Sequence, residues 1–437
     1  MKARLDVNPE GRLCLRNRRF HTSIFLTTFS PEKRCTVLLG DNSGSTIFPY
    51  QRKGAIEWEK DFFKEYLMAV SSKPGSLVGI ISFNHLINLH VDSENGSFET
   101  KKALIYGPDY DAVFVTLIEK YRDKFFREPD DPRNHHIIDS FRPWGLTAGG
   151  GAVYTAINFL GAVENVKNKQ IIVVSDGFFN VGLGSLVRER GVPESDVKKI
   201  DIEFIEGLSE YCEQKNIHPT LIFIPAIAQR YTLYATAPEV NIKKLEETMK
   251  ELVIAGKNLR KNSPSIQLHT SEAIQKLQKG FGEYGAFIAV PSMEYLPSLA
   301  RDLSTCATHP VGYVDLRVKV DGGQIERIYS QGEVVDMYGK TSYEHHDRLI
   351  GIRNFGMELR PEKNMKIRVE AEYKKGKSTK RIRNEKKVNM VDDRKQYVSK
   401  LNPLSRVLHG SDEFGKLAFG AGMFLDTMIP YLYSSGY

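Results

Sequence analysis

Two apolar runs, Val37-Leu38-Leu39-Gly40 and Ile171-Ile172-Val173-Val174, each stop abruptly at a polar turn that carries an aspartate, Asp41 in the first and Asp176 in the second. Neither run has a polar face, so neither suits a strand with one side in water. Both fit strands covered on two sides, as in a mostly parallel sheet between helices. That constraint points to an α/β fold of the doubly wound, Rossmann-like kind. In open α/β sheets ligands bind where the strands emerge, so the two aspartates fall where a site is expected.

The first turn reads Asp41-Asn42-Ser43-Gly44-Ser45-Thr46, a carboxylate followed at alternate positions by two hydroxyls. One carboxylate and two serines suit a small, hard cation that takes oxygen ligands and keeps some of its water. Between the two apolar runs, Pro143 to Gly151 sets Thr147 in a glycine-rich turn. A helical stretch follows from Ala152 to Val163, with Val153, Ile157 and Leu160 at helical spacing.

Together these segments resemble the von Willebrand factor A (vWA) domain and its metal-ion-dependent adhesion site. The family's order of Asp-x-Ser-x-Ser, a distant Thr and a distant Asp is matched by Asp41, Ser43, Ser45, Thr147 and Asp176. The resemblance spans residues 34–306 and takes in Leu77 to Asn84, which is similar to the family's edge-hairpin strand. It implies a bound Mg²⁺ or Mn²⁺. Ser43, Ser45 and Thr147 would approach the ion through their hydroxyls, and Asp41 and Asp176 mostly through water. Neutral ligands leave the ion electron-poor, so an Asp or Glu of a protein partner would complete its shell.

Enzymatic readings of the same residues fail on spacing. Ser43 lies in Asp-Asn-Ser-Gly-Ser, whereas a nucleophile elbow needs Gly-x-Ser-x-Gly. A haloacid dehalogenase-type phosphatase needs a second acid where this chain has Ser43, and no phosphate loop of the Gly-x₄-Gly-Lys-Ser/Thr form occurs. Gly280, Gly282 and Gly285 spell a dinucleotide-type glycine pattern, but they precede the strand-like run Ala286 to Val290 and read as loop glycines. The expectation is a binding protein and not an enzyme.

With 437 residues, 41% hydrophobic and 26% charged, the chain can bury one large core and a smaller one. Residues 1–33 and 307–395 read as strands of one antiparallel β-sandwich flanking the vWA-like segment. Residues 311–320 alternate, and further strands are expected over Gln324–Tyr329, Leu349–Asn354, Met357–Arg360, Lys366–Tyr373 and Ser378–Val388. Gly322-Gly323 and Gly351 would supply turns between or within them. Inside the vWA-like segment, Ile222 to Ile224 and Ala286 to Val290 are the next strands, and Glu294 to Leu303 is the closing helix. An insertion over about 227–285 carries a helix from Asn241 to Lys261, and 396–437 forms a helical, apolar tail interrupted by Asp426 and Pro430.

No apolar leader opens the sequence and no run is long enough to span a bilayer. The four cysteines, Cys14, Cys35, Cys212 and Cys306, are widely spaced without a metal pattern, so a cytoplasmic setting is the expectation. The net charge of +7 concentrates between Lys363 and Lys387, with eleven basic and three acidic residues. That stretch reads either as a nucleic-acid patch or as a solvated, charged hairpin, with Tyr373 its lone aromatic. His135-His136 and His345-His346 read as loop histidines. The function expected is metal-dependent protein binding. Three alternatives stay open: a subunit resembling vesicle inner-coat proteins, an RNA-binding protein like the Ro autoantigen, and a cofactor of a MoxR- or chelatase-type AAA+ ATPase.

Overall fold

The computed structural model describes residues 4–8, 13–14, 19–47, 49–50, 53–103, 110–144, 147–175, 179, 182–184, 204–224, 276–289, 296–330, 333–375 and 378–388. Strands β1 (Arg4–Asn8), β2 (Leu13–Cys14) and β3 (Arg19–Thr27) open the chain, and β4 (Arg34–Asp41) follows. A short hairpin of β5 (Pro49–Tyr50) and β6 (Lys53–Gly54) leads into helix α1 (Ala55–Ser71). Next come β7 (Leu77–Phe83), β8 (Ile87–Asp92) and β9 (Phe98–Ala103), then α2 (Tyr110–Phe125), α3 (Pro132–Asp139) and α4 (Gly149–Gly161). Strand β10 (Asn168–Ser175), helix α5 (Leu208–Gln214), strands β11 (Ile217–Phe223) and β12 (Ala286–Ala289) and helix α6 (Leu296–Thr305) complete this half.

Seven of these twelve strands form one sheet in the order β12-β11-β10-β4-β7-β8-β9. It is parallel from β12 to β7 and antiparallel from β7 to β9. Strand periodicity splits the apolar runs between two cores. Val37, Leu39, Ile171 and Val173 pack on one face beneath α2, α4 and α5, while Leu38, Ile172 and Val174 pack on the other beneath α1, α3 and α6. Helix α1 covers the second face because Ile56, Phe62, Phe63, Tyr66, Leu67 and Val70 recur at helical spacing along one buried stripe.

Leu77 to Asn84, read as similar to an edge-hairpin strand, contains β7, which forms an antiparallel hairpin with β8. Strand β7 pairs with β4 on one side and with β8 on the other, so it is interior, and β9 forms the edge. Val78, Ile80, Ile81 and Phe83 alternate between the two cores, which requires cover on both faces.

The rest is antiparallel: β13 (Tyr313–Ser330), β14 (Glu333–Lys340), β15 (Ser342–Arg348), β16 (Ile352–Lys375) and β17 (Ser378–Val388). They join β1–β3 in an eight-stranded sheet, with β3 pairing β16, so strands from both flanks share it as expected. The expected turn at Gly322-Gly323 is a bulge inside a continuous strand, because β13 and β16 remain paired on both sides of it. A Cβ on Gly323 would lie 2.7 Å from the Met365 sulfur and 2.8 Å from the Arg360 carbonyl oxygen, so only glycine allows that crossing. The sheet bends over one hydrophobic cluster, Leu316, Val318, Ile325, Met357 and Ile367 among its members, and β1 lies against β17.

The antiparallel sheet sits at the amino ends of the parallel strands. Arg34, at the start of β4, is buried and donates to the carbonyls of Leu303 (2.7 Å) and Cys306 (3.0 Å) at the end of α6. Arg353, on β16, donates to the carbonyls of Gly282 (2.7 Å), Glu283 (3.0 Å) and Gly285 (3.0 Å) and pairs with Asp347 at 3.2 Å. Gly351 is left-handed (φ +54°), and a Cβ there would meet His218 Nε2 at 1.9 Å. Gly280 and Gly282, expected in a loop, lie in a helical segment over 276–282. A Cβ on Gly280 would fall 2.0 Å from the Ile205 carbonyl oxygen, so this glycine serves close packing. The predicted helix over Asn241 to Lys261 and the tail 396–437 lie outside the described residues. No helix among the described residues is long and apolar enough to cross a membrane.

Candidate metal centre

Asp41 is the last residue of β4 and is fully buried. Its carboxylate bridges two neighbours. Oδ1 accepts the backbone N–H of Ser43 at 2.9 Å, closing the turn, and Oδ2 accepts the Ser175 hydroxyl at 2.5 Å. Ser175 is the last residue of β10, so this bond draws together the ends of the two strands singled out by sequence. Thr46 fastens the far side of the turn, its hydroxyl donating to the Ser43 carbonyl at 2.8 Å. Ser45 lies in that single helical turn, Gly44–Ile47. Its side chain, and the whole of Asp176, lie outside the described residues.

Thr147 reaches the same place through backbone ties on either side of it. The Trp144 N–H donates to the Asn42 carbonyl and the Ala148 N–H to the Asn84 carbonyl, each at 2.7 Å. Asn42 is itself held by β7, its N–H donating to the Phe83 carbonyl at 2.7 Å. The turns after β4 and β7 and the segment before α4 are thus sewn into one rim, with the Thr147 and Ser43 side chains buried in it. Helix α4 begins at Gly149, three residues before the helical stretch read from sequence. Gly149 and Gly150 open this helix without side chains, and a Cβ would meet the Phe179 ring at 2.1 Å and the Leu183 carbonyl oxygen at 2.0 Å, respectively.

The donor chemistry fits a hard dication. Asp41, Ser43 and Thr147 offer oxygen only, and the Asn42 side-chain oxygen is buried at the same turn without a hydrogen-bond partner. Among the described residues no three His, Cys, Asp or Glu side chains cluster, which leaves softer metals without a comparable set.

Sequence reasoning passed over Glu59. It sits on α1 at 1% exposure, and its Oε2 accepts the Asp41 N–H at 3.2 Å, directly beneath the turn. Gly40 makes the room: a Cβ there would lie 2.6 Å from Glu59 Oε1 and 2.3 Å from the Phe141 ring. The signal was present, because Glu59 stands three residues from both Ile56 and Phe62 on the apolar stripe of α1. Ser175 was equally legible as the hydroxyl next to Asp176.

Elsewhere the structure revises two readings. His135 and His136 are not in a loop but exposed on α3, which Asp131 caps by accepting the Arg133 N–H at 2.9 Å, with Pro132 in the first turn. His345 and His346 lie in β15 and point to opposite faces. His346 bonds Asp315 at 2.6 Å, and His345 packs on Phe355. The basic stretch is laced by cross-strand ion pairs: Arg381 with Glu370 (2.6 Å) and Glu372 (2.8 Å), Lys366 with Glu385 (2.6 Å), and Arg368 with Asp321 (2.7 Å).

No protein-family model matches the sequence, and no curated protein matches it. Solved structures do. A von Willebrand factor type A protein from Catenulispora acidiphila is 12% identical, with 92% of this chain and 76% of that chain covered and a TM-score of 0.34. The ArnB paralog VWA2 from Sulfolobus acidocaldarius is 12% identical over 99% of this chain and 96% of that one, at a TM-score of 0.29. The pilus adhesin SpaC from Lactobacillus rhamnosus GG is 10% identical over 87% of this chain and 47% of its own, at 0.34. The structural neighbours are thus vWA-domain proteins and pilus adhesins.

Proposed function

We propose that this chain is a vWA-type protein-binding module that holds Mg²⁺ or Mn²⁺ at Asp41, Ser43, Ser45, Thr147 and Asp176 and engages an Asp or Glu of a partner protein. The observation that carries this reading is the rim itself: two strand-end turns and the Thr147 segment are tied by backbone hydrogen bonds around the buried Asp41 carboxylate. The ion, when bound, would supply an electrophilic position for an outside carboxylate. Asp41 keeps the Ser43 turn closed, and the amino end of α4, which begins two residues after Thr147, favours negative charge beside it. The role is binding and not catalysis, in a cytoplasmic setting. A vesicle-coat-like scaffold or an AAA+ ATPase cofactor would use the same site. An RNA-binding role draws less support, because Lys366, Arg368, Arg381 and Arg383 are already paired with carboxylates.

Asp41→Asn tests the reading while conserving size. Titration calorimetry with MgCl₂ or MnCl₂ should show one site in the parent chain and at least a hundredfold weaker binding in the variant. Equal affinity in both would refute it.

A further inference from the structure

One large aromatic side chain beside this rim stands out from the surface. Trp144 is 65% exposed although the Thr147 segment that carries it is otherwise anchored. Its backbone is fixed to the Asp41 turn through the Asn42 carbonyl at 2.7 Å. Its ring meets His85 edge-on, with centroids 4.5 Å apart, and His85 follows Asn84, whose carbonyl holds Ala148. The indole is therefore a projecting aromatic surface on a rigid support, already ordered before any partner arrives. Surfaces of that kind lose little conformational entropy on binding, and tryptophan dominates contact hot spots.

The surroundings select what it meets. Arg142, two residues before Trp144, is exposed and held against the end of α3 by bonds from its Nη1 to the Asp139 (2.6 Å) and Phe141 (2.7 Å) carbonyls. A fixed guanidinium two residues away and a cation held at the oxygen-lined site would disfavour a basic segment and favour an acidic one. We propose that Trp144, backed by His85, is a specificity-determining residue that receives an apolar side chain flanking the partner's carboxylate. The chain then recognises an acidic segment with an aromatic or aliphatic neighbour, and discriminates against an isolated Asp or Glu. This rests on the cation-dependent reading above.

The test uses the full chain in Mg²⁺ and two labelled peptides, acetyl-Gly-Phe-Asp-Gly-amide and acetyl-Gly-Gly-Asp-Gly-amide, read by fluorescence anisotropy. Calorimetry with MgCl₂ alone is run beside it. The parent chain should bind the phenylalanine peptide about tenfold tighter. Trp144→Ala should bring that ratio to one without changing Mg²⁺ affinity or weak binding of the glycine peptide, and Trp144→Phe should keep part of it. Metal binding with no difference between the peptides, or a ratio that survives in Trp144→Ala, overturns this proposal and leaves the cation site standing. Metal-independent binding of a single-stranded oligonucleotide that is lost in Trp144→Ala also overturns it, since the indole would then be a base-stacking platform. Failure of MgCl₂ to bind the parent chain defeats the cation reading first and this proposal with it.

Discussion

The amino and carboxyl ends of the parallel sheet use the same strands and are furnished in opposite ways. At the amino ends of β4 and β11, charge is sealed inside. Arg34 and Arg353 are buried against helix-end carbonyls, and His218 packs against Gly351 of the antiparallel sheet. At the carboxyl ends of β4 and β10, oxygen atoms gather around Asp41 beside the Ser43 turn. One end spends its polar groups on internal partners. The other keeps an oxygen cradle at the rim. The lesson is that buried charge by itself does not mark a site, and what its hydrogen bonds are spent on does.

Breaking the sealed end should cost the most. Arg353→Ala leaves Asp347 without its arginine and three carbonyls without a donor, so unfolding by urea should show a loss of about 3–5 kcal/mol. Mg²⁺ affinity should hold in whatever fraction stays folded, because the variant lies at the opposite end of the sheet. A comparable loss of metal affinity would show that the two ends are coupled.

Acid acts on the buried histidines next. His218, desolvated and facing Arg353 and Arg34, and His90, desolvated and facing Arg127, both have pKa values pushed down from 6.5 to about 3. A depressed histidine is neutral when folded and takes up a proton when unfolded, so its contribution is complete above 6.5 and is lost as the pH falls toward 3. Stability at pH 5.5 should lie about 2–3 kcal/mol below that at pH 7.5 from these two groups together. His90→Gln, which can still bond Ser82 and Thr100, should remove about half of that slope.

The smallest effect sharpens the open end. Glu59→Ala removes this acceptor from the Asp41 N–H and should cost about 1–2 kcal/mol, with weakened Mg²⁺ binding as the turn loosens. Glu59→Gln keeps an acceptor oxygen and should restore the stability. If Glu59→Gln regains stability but not metal affinity, the carboxylate acts through its charge and not through the bond.

Much of this was legible in the residues. The β-branched and leucine runs fixed β4 and β10 as two-sided strands, since no other placement hides every second residue on each face. The order Asp41, Ser43, Ser45, Thr147 placed the rim, because strand ends and a glycine-opened helix converge at one sheet edge. What stayed hidden were relations across long sequence separations. The interior place of β7 depended on β8 pairing the side that β4 leaves open. The continuity of β13 through Gly322-Gly323 depended on β16 bending with it. The ion pairing within the basic stretch depended on cross-strand register, which sets Arg381 opposite Glu372 and Arg383 opposite Glu370 and is invisible to a count of charges.

The sequence by itself determined the local chemistry: which runs must be buried, which turn gathers oxygen-bearing side chains, and which nucleophile and phosphate-loop motifs the spacings do not match. Those follow from short-range periodicity and side-chain type. Only the tertiary structure decided that Glu59 lies under Asp41, that Ser175 reaches across from β10, and that Trp144 stands at the rim while Arg353 is sealed away. Those contacts join residues tens to hundreds of positions apart, and their geometry exists only once strands and helices distant in the chain have packed together.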